Sequence, residues 1–159
     1  TRSGDLDPSL ILYIMGKEGL TLGEANTLLN KHSGLIGISG ESSDMREILA
    51  AVKDNQQRSK WAFEIFCYKI KKYIGAYTAA MGGLDALVFT GGIGENSTEV
   101  REEVCKEMEF LGLELDELKN QNNDEIISKV HSKVSIMRIP TNEELVIALD
   151  TAKIVSEVK

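Results

Sequence analysis

The stretch Ala86-Leu87-Val88-Phe89-Thr90-Gly91-Gly92-Ile93-Gly94-Glu95-Asn96 decides how the rest of the chain is read. Its first five residues, 86–90, are mostly apolar and predict a buried strand, after which three glycines lead directly into a helix. Glycine lacks a Cβ, so the N–H groups of such a turn lie bare, and the start of a helix beside them adds unpaired donors. A strand ending this way suits the close approach of phosphate or a nucleotide. The letters exclude two other phosphate motifs. A P-loop requires Gly-Lys-Ser/Thr to reach the outer phosphates and magnesium, but Glu95-Asn96 follows Gly94. A dinucleotide fingerprint built on Gly92-Ile93-Gly94 requires another glycine where Ser97 stands. A strand–glycine–helix turn with no ligand is the purely structural alternative.

Working outward, Val134 to Ile139 alternates and predicts a second buried strand, stopped by Pro140. Thr141-Asn142-Glu143-Glu144 then reads as a capping box, in which Thr141 caps a helix and Glu144 reaches back to the Thr141 N–H. That accounts for Glu144 and leaves the Glu143 carboxylate to point elsewhere. The last helix is expected to bury Leu145, Ala148, Ala152 and Val155. Between the strands, a helix is predicted over 97–111, a short edge strand over 113–115 and a mobile polar segment over 118–124.

Toward the N-terminus, Asp7-Pro8 marks a helix start, with helices to follow over 22–30 and from Asp44 to about Lys53. Residues 34–43 read as a glycine- and serine-rich loop without periodicity. The longest helix spans 58–81, where Ala62, Phe66, Ile70, Tyr73, Tyr77 and Met81 recur at steps of three and four and Trp61, Ile65 and Ile74 widen the face. Core packing is the expected use of this stripe, with a subunit interface as the alternative. Strands alternating with helices make an α/β domain.

Composition narrows the partners. With 159 residues and 42% hydrophobic content the chain suffices for one domain with its own core. A net charge of −7 repels polyanions, and Lys69, Lys71 and Lys72 are only a short basic cluster, so no nucleic-acid partner is expected. The long helix carries too many charges to cross a bilayer, so no membrane partner is expected either. Cys67 and Cys105 lack metal-ligand spacing and read as reduced, packed thiols; His32 and His131 read as solvated surface residues. The start at Thr1, without methionine or a basic-apolar leader, suggests an excised or processed piece of cytoplasmic origin.

Four segments carry a more specific signal: Thr1-Arg2-Ser3-Gly4-Asp5-Leu6-Asp7-Pro8, Gly37-Ile38-Ser39-Gly40 with Ser42-Ser43-Asp44-Met45-Arg46, Phe89 to Asn96, and Ile139-Pro140-Thr141-Asn142-Glu143-Glu144-Leu145. In content and order they resemble the acetate kinase family, across essentially the whole chain. The resemblance implies that residues 1–159 are the C-terminal nucleotide-binding domain of such an enzyme, with the N-terminal domain absent. The implied fold is α/β, a ribonuclease H-like domain of the acetate and sugar kinase, heat-shock chaperone and actin superfamily, its sheet flanked by helices. The implied reaction is magnesium-dependent, reversible phosphoryl transfer from ATP to acetate, giving acetyl phosphate and ADP, in a cytoplasmic homodimer.

Carried over by position, the resemblance places Gly91, Gly92, Ile93, Gly94, Glu95 and Asn96 along the adenosine side of the nucleotide, and Asp44, Met45 and Arg46 at its ribose and base. A guanidinium such as that of Arg46 can stack on adenine and still donate hydrogen bonds. Arg2 matches the family's arginine near the transferring phosphoryl group, where a fork of donors can bind oxygens gaining charge. Glu143 matches the magnesium-associated glutamate; magnesium keeps several waters and needs only one or two carboxylates. The acetate pocket and the remaining catalytic residues fall upstream of Thr1 in the family, so the chain is expected to bind nucleotide without catalysing. A propionate or butyrate kinase, a non-catalytic module of the actin or chaperone type, and a structural dimerisation domain are the alternatives.

Overall fold

The computed structural model describes residues 1–157, apart from the side chain of Glu143. The chain divides into two compact units, Thr1–Lys72 and Tyr73–Lys159. The first is all helix: α1 (Pro8–Glu18), α2 (Leu22–Lys31), α3 (Gly34–Ser39), α4 (Met45–Lys53) and the start of α5 (Gln57–Met81). The second holds the end of α5, then β1 (Ala86–Phe89), α6 (Gly91–Asn96), α7 (Thr98–Cys105), a 3-10 turn at Glu109–Leu111, α8 (Glu117–Asn122), β2 (Ser135–Arg138) and α9 (Glu143–Glu157). This is the expected α/β combination.

In the first unit α1 starts as its sequence requires: Asp7 accepts the Ser9 N–H at 2.8 Å and Pro8 occupies the first turn. Helix α2 carries a complete capping box, in which the Thr21 hydroxyl receives the Glu24 N–H at 3.3 Å and Glu24 receives the Thr21 N–H at 2.8 Å. The expected loop over 34–43 is a helix in its first six residues, α3. Its carboxyl end is braced by Arg58, which donates from Nε to the Ile38 carbonyl at 2.9 Å and from Nη2 to the Gly37 carbonyl at 3.1 Å. A helix of this length lacks stability of its own, so a partner distant in sequence replaces what local periodicity lacks. Met45, Ile48, Ala62 and Cys67 are buried here.

In the second unit β1 and β2 run parallel in register, Ala86 opposite Ser135 and Phe89 opposite Arg138. The ladder continues as the Ile139 N–H donates to the Phe89 carbonyl at 2.9 Å. The expected edge strand over 113–115 is reduced to single bridges, Leu113 with Val134 and Leu115 with Ser128. Val100, Val104, Leu113, Ile127, Val134 and Ile136 form the core. The expected burial of β1 holds only in part, since Val88 is exposed and Phe89 is buried. Helix α7 stops at Cys105, earlier than expected; Glu107 adopts φ 60°, which ends an α-helix. The segment 118–124, expected to be mobile, is largely helix α8, capped by Asp116 and holding Asn120 buried.

Three expectations about apolar faces and caps are corrected. The α5 stripe is packed only in part: Ala62 is buried and Phe66, Ile70 and Ile74 are half-buried, but Trp61 is 51% exposed and Ile65, Tyr73, Tyr77 and Met81 are exposed too. Every α9 residue whose side chain is described is exposed, including Leu145, Ala148, Ala152 and Val155. Periodicity identifies an apolar face without saying what covers it. The α9 cap is Asn142, whose Oδ1 receives the Leu145 N–H at 3.0 Å. The expected Thr141–Glu144 box does not form, because the Thr141 N–H and hydroxyl both donate to Glu95. Replacing Asn142 by alanine is therefore expected to lower stability by about 0.5–2 kcal/mol, whereas Glu144→Ala changes it little; urea unfolding of both variants checks the order.

Candidate functional site

Parallel pairing puts the carboxyl ends of β1 and β2 at one edge of the sheet, where open α/β sheets place their ligands. The segments leaving that edge are the glycine turn and the Thr141 turn. Gly91 has φ +69°, in the left-handed region that favours glycine. A Cβ on Gly94 would lie 3.1 Å from the carbonyl carbon of Phe89, so any larger residue there would push the end of β1 and α6 apart by a few tenths of an ångström. The predicted turn-then-helix is thus more compact: the glycines are themselves the helix.

One oxygen of Glu95 joins the two turns. Its Oε1 accepts the Gly91 N–H at 2.9 Å, the Thr141 N–H at 2.7 Å and the Thr141 hydroxyl at 2.8 Å. The two Thr141 donors, followed by the Gly91 N–H and the Arg138 charge, hold the Glu95 carboxyl below the usual carboxylate range against the opposing effect of burial. Asn96 closes the short helix through Nδ2, which donates to the Gly92 carbonyl at 2.9 Å. Ile93 is exposed. Glu143 is the first residue of α9, two positions beyond Thr141; its side chain lies outside what the structure describes.

The remaining predicted residues belong to the first unit. Asp44 caps α4, its Oδ1 accepting the Arg46 N–H at 2.9 Å and Arg46 Nε at 3.0 Å, while Oδ2 accepts Arg46 Nη2 at 2.6 Å. The loop before it is ordered by Ser39, whose hydroxyl donates to the Ser42 carbonyl at 2.7 Å, and by Ser42, which bonds both the Asp44 N–H and Glu47. Arg46 is 90% exposed at its side chain, whereas Met45 is buried. Met45 therefore anchors the start of α4 while Arg46 faces solvent and Asp44 is half-buried. Arg2 is exposed, but its backbone is fixed: the Ser33 N–H donates to the Thr1 carbonyl at 3.0 Å and the Ser3 N–H to the Leu29 carbonyl at 2.8 Å. A Cβ on Gly34 would stand 2.5 Å from the Arg2 carbonyl oxygen, so that glycine is required for the contact.

Sequence reasoning missed Arg101, which is fully buried and bonded to the Gly94 and Glu95 carbonyls. Its signal lay in spacing, since Arg101, Val104 and Cys105 stand at three- and four-residue steps on one face of α7. Cys67 and Cys105 are buried thiols, as expected, and His131 is a surface residue 2.9 Å from Glu114. Among the described residues, no group of three or more His, Cys, Asp or Glu is gathered to hold a metal, and no helix is long and apolar enough to cross a membrane.

A glycine turn clamped at the carboxyl edge of a parallel strand pair makes an α/β domain, and solved structures that share its fold are kinases. Residues 1–149 match the model of the acetokinase family, and the chain belongs to that family. It is 53% identical to the acetate kinase of Treponema denticola, over 98% of this chain and 40% of that one. With the acetate kinase of Halothermothrix orenii the identity is 55%, over 98% of this chain and 39% of the relative. The chain thus spans about two-fifths of the length of these curated relatives. The Porphyromonas gingivalis acetate kinase structure superposes with a TM-score of 0.88 at 48% identity, covering 98% of this chain and 40% of that one. A propionate kinase from Francisella tularensis gives a TM-score of 0.87 at 42% identity, covering 93% of this chain and 38% of that one.

The Asp44 pair has a pH signature. The Arg46 side chain, then the Arg46 N–H, lower the Asp44 carboxyl from 3.8 to about 2. A carboxyl depressed on folding contributes stability above its unfolded value and loses that contribution as pH falls through its folded value. Denaturant titrations should therefore show stability falling between about pH 4 and pH 2, with a shallower fall in Asp44→Asn, which keeps a capping oxygen but does not titrate.

Proposed function

We propose that this chain is the nucleotide-binding part of an acetate kinase, an enzyme that transfers a phosphoryl group reversibly from ATP to acetate, giving acetyl phosphate and ADP. The observation that carries the reading is the Gly91–Asn96 helix, seated on the end of β1 and tied through Glu95 to the turn that begins α9. The two acetate kinases above share about half of their residues with the chain. In this reading Gly91, Gly92, Ile93, Gly94 and Asn96 present the surface along the adenosine, Glu95 fixes its shape, and Asp44 and Arg46, backed by buried Met45, meet the ribose and base. Arg2 supplies donors to the phosphoryl oxygens as they gain charge.

The oxygen-donor set around Thr141, Asn142 and Glu143 suits a hard cation held mostly by water and phosphate. Magnesium there would spread the negative charge of the phosphates. Glu143 would hold it, alongside the nucleotide. The propionate kinase neighbour supports propionate as the second acceptor to test, with butyrate a further member of the same series; in this reading the acceptor pocket belongs to the part of the enzyme outside this chain. We further assign the enzyme to the cytoplasm and to a homodimer, the latter supported by the exposed aromatic face of α5.

Three measurements test this reading. ATP or ADP should raise the melting temperature of the chain, more so with magnesium, while acetate plus ATP yields no acetyl phosphate; acetate-dependent turnover would overturn the assigned division of labour. Glu143→Ala should keep the nucleotide response but lose its magnesium enhancement, and an undiminished enhancement would remove Glu143 from the metal site. Light scattering should report a dimer at high protein concentration, and a monomer there would withdraw the self-association.

A further inference from the structure

Helix α7 turns one charged residue inward. Arg101 is 0% exposed, on the same face as Val104 and Cys105. A guanidinium carries five N–H donors, and five bonds engage them. Nε donates to Asn120 Oδ1 at 2.6 Å; Nη1 donates to the carbonyls of Gly94 at 2.9 Å and Glu95 at 2.8 Å. Nη2 donates to the Asn120 carbonyl at 3.1 Å and to Asn123 Oδ1 at 2.7 Å. All these acceptors are neutral. The frame around them is itself anchored, since Asn120 Nδ2 donates to the Thr98 carbonyl at 3.0 Å and Arg138 Nε to the Asn123 carbonyl at 2.8 Å.

Stability alone is a poor account of this arrangement, because an apolar side chain of similar volume commonly serves a core as well as a buried charge does. The guanidinium does something an apolar group cannot. It holds the two carbonyls at the carboxyl end of the six-residue glycine helix, while the Glu95 carboxylate holds its first N–H. We propose that Arg101 is a positioning residue for the nucleotide: by gripping Gly94 and Glu95 through their carbonyls, with Asn120 and Asn123 as its frame, it keeps Gly91–Asn96 in one conformation and so sets nucleotide affinity. This rests on the nucleotide reading of the turn. The side chain itself touches no substrate.

The test compares four variants of the 159-residue chain. Arg101→Gln and Arg101→Lys reduce the donor fork. Asn123→Gly deletes one acceptor but keeps the backbone, since Asn123 already has φ 57°. Ile127→Val trims the core of the same unit outside this network and serves as the stability control. Magnesium–ADP affinity is read by calorimetry, and amide exchange over residues 91–96 is read without nucleotide. Arg101→Gln and Arg101→Lys should weaken ADP by about ten-fold, the equivalent of one lost hydrogen bond, and speed exchange locally at residues 91–96. Asn123→Gly should do the same to a smaller extent. Ile127→Val should lower the melting temperature and leave both readings unchanged.

Wild-type affinity and exchange in folded Arg101→Lys and Asn123→Gly would overturn the proposal, as would affinities that follow melting temperature across all variants, Ile127→Val included. If Arg101→Gln fails to fold, the two milder variants decide. If the unmodified chain binds no ADP, it is the nucleotide reading that fails. Exchange then decides for Arg101: local acceleration upholds its grip on the turn, and unchanged or uniformly faster exchange removes it.

Discussion

The acceptor oxygen Glu95 Oε1 holds in place the edge of the second unit's sheet that carries the candidate site. Parallel strands must end at the same side of a sheet, and the register of Phe89 opposite Arg138 brings the exits of β1 and β2 side by side. Two adjacent turns expose several backbone N–H groups that the ladder does not use. An ionised carboxylate only accepts, so a single oxygen can serve Gly91 and Thr141 together. Because Thr141 is engaged there, it cannot cap α9, and the role passes to Asn142. The starting point of α9, and with it the placement of Glu143 at its first residue, follows from a contact made on the other strand's turn.

The two units solve one physical problem in similar ways. Helices α3 and α6 each have six residues, too few to be stable by propensity, and both are rich in glycine. In each, an arginine elsewhere in the unit donates to two successive carbonyls at the carboxyl end: Arg58 to Gly37 and Ile38, and Arg101 to Gly94 and Glu95. Cationic donors suit that end, where carbonyls lack intrahelical partners. The environments differ, Arg58 being exposed and Arg101 buried. Burial lowers the Arg101 pKa from its ordinary value, with a smaller contribution from Arg138 in the same direction.

What the sequence disclosed depended on whether a local pattern met a tertiary competitor. Asp7-Pro8 starts α1 as written because nothing else claims the Ser9 N–H. The pattern Thr-x-x-Glu occurs at Thr21–Glu24 and at Thr141–Glu144, yet only the first forms a capping box. The second loses Thr141 to Glu95, far away in sequence and invisible to a local rule. Residues 118–124 looked mobile because they are polar, but that polarity supplies acceptors for the buried Arg101. The two strands and the glycine turn were readable because an apolar run, alternation and glycine are local causes. The surroundings of the α5 and α9 apolar faces were not, since periodicity says nothing about a neighbour.

Asp44 and Arg46 in the first unit and Glu95 in the second are each engaged within their own unit before any ligand arrives, and this bears on how a nucleotide would be held. Asp44 takes Arg46 through Nε and Nη2, which fixes the plane of the guanidinium while the side chain stays almost entirely exposed. Bonds made along the edge of that group leave its faces available, and stacking on adenine uses a face. A planar cation already oriented loses less rotamer freedom on binding than a mobile one. The same reasoning extends to the glycine helix, fixed by Glu95 at its start and by Arg101 at its end. In the nucleotide reading, both surfaces are ordered during folding, so ordering them does not count against the affinity of the ligand.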